Sequence, residues 1–166
     1  PVLPVHLKAS SLTVGLLFGL AVLASITANP IVGRFVAAVS PRLFVGSGVV
    51  AAATALVVIG AADEMWQTSA GMVLLGASSA LLLTPSTTLM SQQGSRSVPP
   101  TLGGSFALYN LAYAGGLAGG PLLTGFAVQR AGFAAAMAVA ATVLAGLGIA
   151  AVARLPRSLR EQADLA

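Results

Sequence analysis

The sequence predicts an all-α integral membrane protein with about five complete transmembrane helices. Apolar residues make up 57% of its 166 residues and charged residues only 7%, whereas a typical soluble domain carries roughly 25% charged residues. The mean hydropathy is +0.94. Five charge-free runs lie between the ionisable residues, and each exceeds the roughly 18 residues that indicate a membrane-spanning helix: 9–33, 43–62, 65–95, 97–129 and 131–153.

Turn-forming residues trim these runs to five predicted spans, at about 12–33, 43–62, 68–90, 102–127 and 132–153. The connections carry prolines, charges or polar residues, at 34–42, 63–68 and 91–101, with a tight turn at 128–131. The predicted organisation is the end of a truncated transmembrane helix with an outer loop (1–10), a five-helix transmembrane bundle (11–153) and a cytoplasmic tail (154–166).

The first and third spans contain polar side chains at membrane depth. Asn29, just before Pro30, is expensive to bury in a membrane unless it has a partner, so we expect it at a helix contact or in a cavity. In the third span Pro85 removes the backbone donor for an earlier carbonyl, and its hydroxyl neighbours include Thr84 and Thr88. These hydroxyls either satisfy freed backbone groups or face a wet cavity.

The fourth span contains "AYAGGLAGGPLLTGF", which has five glycines and one proline in fifteen uncharged residues. At 100° per residue, Tyr109, Asn110 and Tyr113 share one face, which Gly116 and Gly120 continue. Glycines four residues apart allow another membrane helix to approach closely, and Pro121 supplies a bend. The pattern predicts a substrate-cavity surface on the first half of this helix and a helix-packing and gating surface on the second.

Lysines and arginines predict the orientation. If the C-terminus is cytoplasmic, the outer segments hold only Lys8 and Arg130. The cytoplasmic segments then hold six basic residues, which are Arg34, Arg42, Arg96, Arg154, Arg157 and Arg160. Membrane proteins show this excess of positive charge on the cytoplasmic side.

Asp, Glu, Lys, Arg and His are absent from every predicted span. An intramembrane protease needs a buried Asp pair, a Ser/His pair or a zinc-binding helix, and none can be assembled from 12–153, so we predict no enzymatic activity. The chain has no cysteine, and the sequence suggests no metal site and no cofactor. The basic residues are scattered over short segments without interleaved aromatics, so nucleic acid is not an expected partner.

A weak internal repeat relates the first and fourth spans at an offset of 91 residues. Aligning 17–35 with 108–126 matches five of nineteen residues, among them Pro30 with Pro121. Corresponding proline or glycine interruptions in two repeats often flank the working region of a transporter.

These features together resemble the C-terminal half of a major facilitator superfamily transporter. The resemblance rests on five helices after a "LPVHL" helix end, on "PIVGRFVAAVSPRLFV" (30–45), "LLLTPS" (81–86) and "LYNLAYAGGLAGGPLLTGF" (108–126). The most similar members are drug/proton antiporters related to the vesicular amine transporters. The resemblance implies a six-helix half with the end of its first helix at 1–10, and a missing N-terminal six-helix half as partner.

Family motifs can be placed on some residues through this resemblance. In the signature of the loop between the second and third helices of this half, Gly33 and Arg42 fit, but Ala37 stands at the Asp and Ser40 at the second Gly. "GGLAGGPLLTG" is similar to the antiporter Gly/Pro motif, and the residues that fit it are Gly116, Gly120, Pro121 and Gly125. Asn110 lies near a position where vesicular amine transporters carry a carboxylate.

The expected function is half of an alternating-access secondary transporter for small organic solutes, with proton-coupled efflux of a lipophilic cation as the form that the resemblance implies. Its expected partners are membrane lipid, the other six-helix half, the solute and a proton. Two alternatives stay open: a membrane subunit or scaffold without transport, and a channel-like pore, although no filter motif or charged lining is present.

Overall fold

Five α-helices follow one another along the chain in a computed structural model that describes residues 10–36 and 38–155. They are α1 (Ser11–Phe35), α2 (Pro41–Gly60), α3 (Met65–Arg96), α4 (Leu102–Ala131) and α5 (Phe133–Arg154). All five are long and apolar enough to cross a membrane, and the described residues form no strand. The predicted all-α fold with five spans is therefore confirmed.

The starts of α1 and α4 are fixed by side-chain caps of the same kind. The backbone N–H of Thr13 donates to the Ser10 hydroxyl at 3.1 Å, and the backbone N–H of Gly104 donates to the Thr101 hydroxyl at 3.0 Å. Each bond satisfies an N–H that has no partner inside the first turn. The two caps lie 91 residues apart, which is the offset of the internal repeat.

Two predicted connections are wrong. Residues 91–96 continue α3, and residues 128–131 complete α4. In both places polar residues and one arginine occupy the last helical turn, where a cation is favoured by the helix dipole. The chain leaves α3 only before Pro99, and a single residue, Gly132 with φ +83°, makes the turn after α4. The other predicted helix ends agree within three residues.

The helix α3 occupies the middle of the bundle, because it contacts α1, α2 and α4, while α5 contacts α2 and α4. One buried cluster, Leu17, Ile59 and Met72, joins α1, α2 and α3 near one end. A second cluster, Val32, Phe44 and Ala80, joins the same three helices near the other end. We call these the first end and the second end of the bundle. By contrast, α4 has no buried residue.

Glycines of α3 and α5 allow the closest helix approaches. A Cβ atom added to Gly76 would lie 2.0 Å from the carbonyl oxygen of Ala21 in α1. One added to Gly71 would lie 2.5 Å from the Ile59 side chain, and one added to Gly148 would lie 2.4 Å from the Val49 side chain. Small residues are the usual means by which membrane helices pack closely, and here they allow α3 to pack against α1 and α2, and α5 against α2.

Candidate functional site

Polar side chains of α1 and α3 meet across the contact between these helices. The hydroxyls of Ser25 and Ser79 lie 2.9 Å apart, and the Thr84 hydroxyl donates to the Asn29 side-chain oxygen at 2.9 Å. The structure thus brings together two of the predicted cavity residues, Asn29 and Thr84. Asn29 is exposed, and its role in a solute cavity stays a prediction.

Around Pro85 the hydroxyl groups satisfy helix carbonyls. The Ser86 hydroxyl donates to the Leu82 carbonyl at 2.6 Å, and the Thr88 hydroxyl donates to the Thr84 carbonyl at 3.1 Å. Such bonds are a common way to relieve a proline in a membrane helix. The proton of the Thr88 hydroxyl is therefore used inside α3, and Thr84 is the hydroxyl of this group that reaches another helix.

The predicted aromatic face is present on the first half of α4. The rings of Tyr109 and Tyr113 stack with centroids 6.3 Å apart and planes 7° from parallel. Tyr113 is 48% exposed, and Asn110 is also exposed. No hydrogen bond or ring contact in the described chain joins these three residues to the Asn29–Thr84 pair. The polar side chains thus form two groups, one on α4 and one between α1 and α3.

The second half of α4 carries what we call the glycine face, formed by Gly116 and Gly120. A Cβ atom added to either glycine would meet no described atom within 4 Å. The face is thus open among the described residues. Pro121 is also exposed. A role of the glycine face in packing against another helix stays a prediction.

Arg42 connects two helices at the second end of the bundle. Its Nε donates to the Leu155 carbonyl, which follows the last turn of α5. A guanidinium at a helix C-terminus satisfies a free carbonyl and interacts favourably with the helix dipole. Gly33, the other residue placed through the loop signature, has no described atom within 4 Å of an added Cβ, and Ala37 lies outside the described residues.

An apolar pocket of about 530 Å³ lies at the first end of the bundle. Its walls come from all five helices, and α4 contributes Pro121, Thr124, Gly125, Val128 and Gln129. The hydroxyl of Thr68 belongs to this wall and has no hydrogen-bond partner among the described residues, although the residue is only 1% exposed.

Of the predicted site residues, only Pro121 lines this pocket. Most of the other wall residues are apolar, which is typical of helix packing. The sequence gave no indication that Thr68 is buried, because it is a polar residue near the start of α3.

The described residues contain no group of three or more potential metal ligands. In this part of the chain the acidic residues are Asp63 and Glu64, which lie between α2 and α3 and outside the membrane-spanning segments. The five helices carry arginines near their ends, and one of these, Arg130, lies over the Phe126 ring at 4.7 Å.

Comparison with known protein families decides the classification. The family model of the Major Facilitator Superfamily matches residues 1–165. The chain belongs to the major facilitator superfamily. No curated protein and no solved structure gave a significant match. Membership confirms the family resemblance at this level and supports transport as the general function of a multi-pass membrane protein; the likeness to drug/proton antiporters stays a prediction.

Proposed function

We propose that this chain is one half of a secondary active transporter that moves small organic solutes across the cell membrane by alternating access. The carrying observation is that α4, a helix of 30 residues, has no buried residue and yet presents stacked tyrosines, an amide and an open glycine face. Such a helix suits the boundary of a cavity between two halves. Superfamily membership supports the same mechanism.

The solute class follows from the side chains in the two groups of polar residues. Tyrosine rings bind apolar molecules and the faces of cations, and the amides of Asn29 and Asn110 give hydrogen bonds without charge. This lining favours lipophilic solutes, including lipophilic cations, over strongly charged ones. A proton coupled to transport would have to be carried by a titratable group outside the described helices, and we assign it to the other six-helix half.

Transport assays with the complete transporter test this function. The chain joined to its N-terminal half is reconstituted in liposomes, and efflux of cationic, neutral and anionic dyes is measured for Tyr113→Phe and Asn110→Ala. We expect changes in apparent affinity that differ between dyes. Leu111→Ala is the matched control, because Leu111 is 70% exposed on the opposite side of α4.

Unchanged affinity for every dye in both variants would contradict the α4 cavity surface. Saturable transport by residues 1–166 alone would contradict the assignment as one half. A stoichiometric partner other than a six-helix half, without transport, would instead identify a membrane scaffold.

We also propose that the C-terminus is cytoplasmic, on the basis of the six basic residues assigned to that side. The chain lacks cysteine, so single cysteines report accessibility without background. Cysteine at position 64 or 130 should react with an impermeant maleimide in intact cells, and cysteine at position 96 only after permeabilisation. The reverse pattern would overturn the orientation.

A further inference from the structure

Helices α1 and α3 lie side by side in one register. Contacts spaced about one helical turn apart join them, and each links residues 54 or 55 positions apart in the chain: Ala21 with Gly76, Ser25 with Ser79, and Asn29 with Thr84. The two helices therefore run in the same direction. Exposure rises along the series, because Gly76 is buried, Ser79 is half-buried and Asn29 is exposed. The contact of Asn29 with Thr84 is thus the one in this series that opens to the outside of the described bundle.

This pair lies at the same depth as the stacked tyrosines of α4. Depth can be compared from Gly94 at the second end of α3, where an added Cβ atom would lie 3.1 Å from the Cα of Leu102 in α4. Thr84 precedes Gly94 by ten residues, and Tyr113 follows Leu102 by eleven. At a rise of about 1.5 Å per residue, the two side chains start about 15 Å and about 16 Å from that point. The hydroxyl, the amide and the rings are therefore available to one solute.

The hydrogen bond between Thr84 and Asn29 has a defined direction. Ser86, Thr87 and Thr88 donate their hydroxyl protons to carbonyls of α3 itself, whereas Thr84 donates across to the Asn29 Oδ1 atom at 2.9 Å. This bond engages the amide oxygen and leaves the two N–H groups of Nδ2 as donors.

Those N–H groups need an acceptor. Within residues 10–36 and 38–155 the Asn29 side chain makes no second hydrogen bond. An amide donor without an acceptor is costly at membrane depth. A molecule that brings a hydrogen-bond acceptor to this position removes the cost, while one that brings only donors or apolar groups does not.

We propose that Asn29 is a specificity-determining residue for the solute and that Thr84 positions its amide, so that the site selects solutes with an uncharged hydrogen-bond acceptor such as a carbonyl oxygen. This role rests on the proposed function, which makes the pair part of the solute cavity. The tyrosine rings at the same depth bind the aromatic or apolar part of the same molecule. Without the Thr84 hydroxyl, the amide is free to turn and offers its oxygen as well as its nitrogen, so the selection is lost.

Two matched solutes test the selection in the complete transporter in liposomes. They are neutral aromatic dyes that differ in one substituent, which is acetyl in one and ethyl in the other, so only the first carries the acceptor. We expect the apparent KM for the acetyl dye to be about threefold to tenfold lower, the size of one neutral hydrogen bond. Thr84→Val and Asn29→Ala should bring the ratio of the two KM values to about one. Thr84→Ser should keep it, because serine retains the hydroxyl.

Ser79→Ala is the matched control for a structural role. It removes the hydrogen bond to Ser25, which joins the same two helices one turn away, so it weakens the same helix contact without touching the amide. Its KM ratio should equal that of the unsubstituted transporter. Equal KM values for both dyes in the unsubstituted transporter would overturn the proposal. So would a ratio that Ser79→Ala changes as much as Thr84→Val does.

A second measurement does not depend on transport. Asn29 and Asn110 are the two asparagines of the chain, and ¹⁵N labelling of asparagine in the complete transporter makes their side-chain amides visible by NMR. The Asn29 signal is identified by its loss in Asn29→Ala. It should shift on addition of the acetyl dye, shift little with the ethyl dye, and lose this difference in Thr84→Val.

The two measurements separate this inference from the proposed function. An Asn29 signal that responds to neither dye, or equally to both, overturns the inference even if both dyes are transported. A signal that responds to the acetyl dye alone, in a protein that transports neither dye, supports the amide selection and contradicts the proposed function.

Discussion

Replacing Gly76 with alanine tests the close approach of α1 and α3. The added Cβ atom would lie 2.0 Å from the carbonyl oxygen of Ala21, 2.7 Å from its carbonyl carbon and 2.9 Å from its Cα. All three atoms belong to the backbone, so no side-chain rotation relieves the contact. To reach an ordinary separation of 3.4 Å, the two helices must move apart by about 1.4 Å.

This movement also affects the neighbouring polar contact. The hydroxyls of Ser25 and Ser79 lie 2.9 Å apart, one turn further along both helices, and a separation of about 1.4 Å takes them beyond hydrogen-bonding distance. Overpacking costs about 1–3 kcal/mol, and a lost interhelical hydrogen bond costs about 0.6 kcal/mol. The gain in helix propensity on replacing glycine with alanine offsets about 0.5–1 kcal/mol. We expect a net loss of about 2 kcal/mol in the free energy of unfolding.

The measurement is unfolding of the chain in mixed micelles at increasing SDS, followed by helical circular dichroism and by fluorescence of Trp66, the only tryptophan. Gly19→Ala is the matched control, because Gly19 also lies in this helix pair but has no described atom within 4 Å of an added Cβ. It should be neutral or slightly stabilising. If Gly76→Ala unfolds at the same SDS fraction as the unsubstituted chain, or if Gly19→Ala is equally destabilising, the close approach is refuted.

Three further predictions concern the predicted site residues. A double-mutant cycle of Asn29→Ala and Thr84→Val should give a coupling of about 0.6 kcal/mol in the same unfolding assay, and additive effects would refute their hydrogen bond. Gly120→Leu should reduce dye transport by the complete transporter. It should leave the stability of residues 1–166 alone nearly unchanged, since no described atom lies within 4 Å of a Cβ added at Gly120. Normal transport would contradict a packing role for the glycine face. Arg42→Gln should accelerate amide hydrogen exchange in the last turn of α5, up to Leu155, because that carbonyl loses its donor, and unchanged exchange would show that the contact does not stabilise this end.

The fold was predictable because a membrane gives strong constraints. Every backbone group inside the bilayer must be paired, so an apolar run of sufficient length forms a helix. The helix ends were less predictable at 91–96 and 128–131. Polar and charged residues mark the end of the membrane, but a helix continues beyond it until a proline or glycine stops it.

The candidate site was predictable in part, because the sequence shows which residues are chemically costly but not how the helices are arranged. Asn29 was expected to need a partner, and it has one in Thr84. The pairing itself depends on the rotation of α1 against α3. The closest approach of these helices is at Gly76, for which the local sequence gave no stronger signal than at many other glycines.

Spacing of small residues explains both the success and the failure in assigning helix contacts. The pair Gly76 and Ala80 on α3 has the same four-residue spacing as Gly116 and Gly120 on α4, yet α1 touches the first pair while the second is open.

Glycine in a helix costs about 0.5–1 kcal/mol relative to alanine, and this cost is offset on α3 by close packing. The five glycines within 112–126 of α4 carry the same cost, which sums to about 2.5–5 kcal/mol. No described contact offsets it, since none of the five has an atom within 4 Å of an added Cβ. The share of this cost that belongs to Gly116 and Gly120 is the physical reason to predict that a further helix packs on the glycine face.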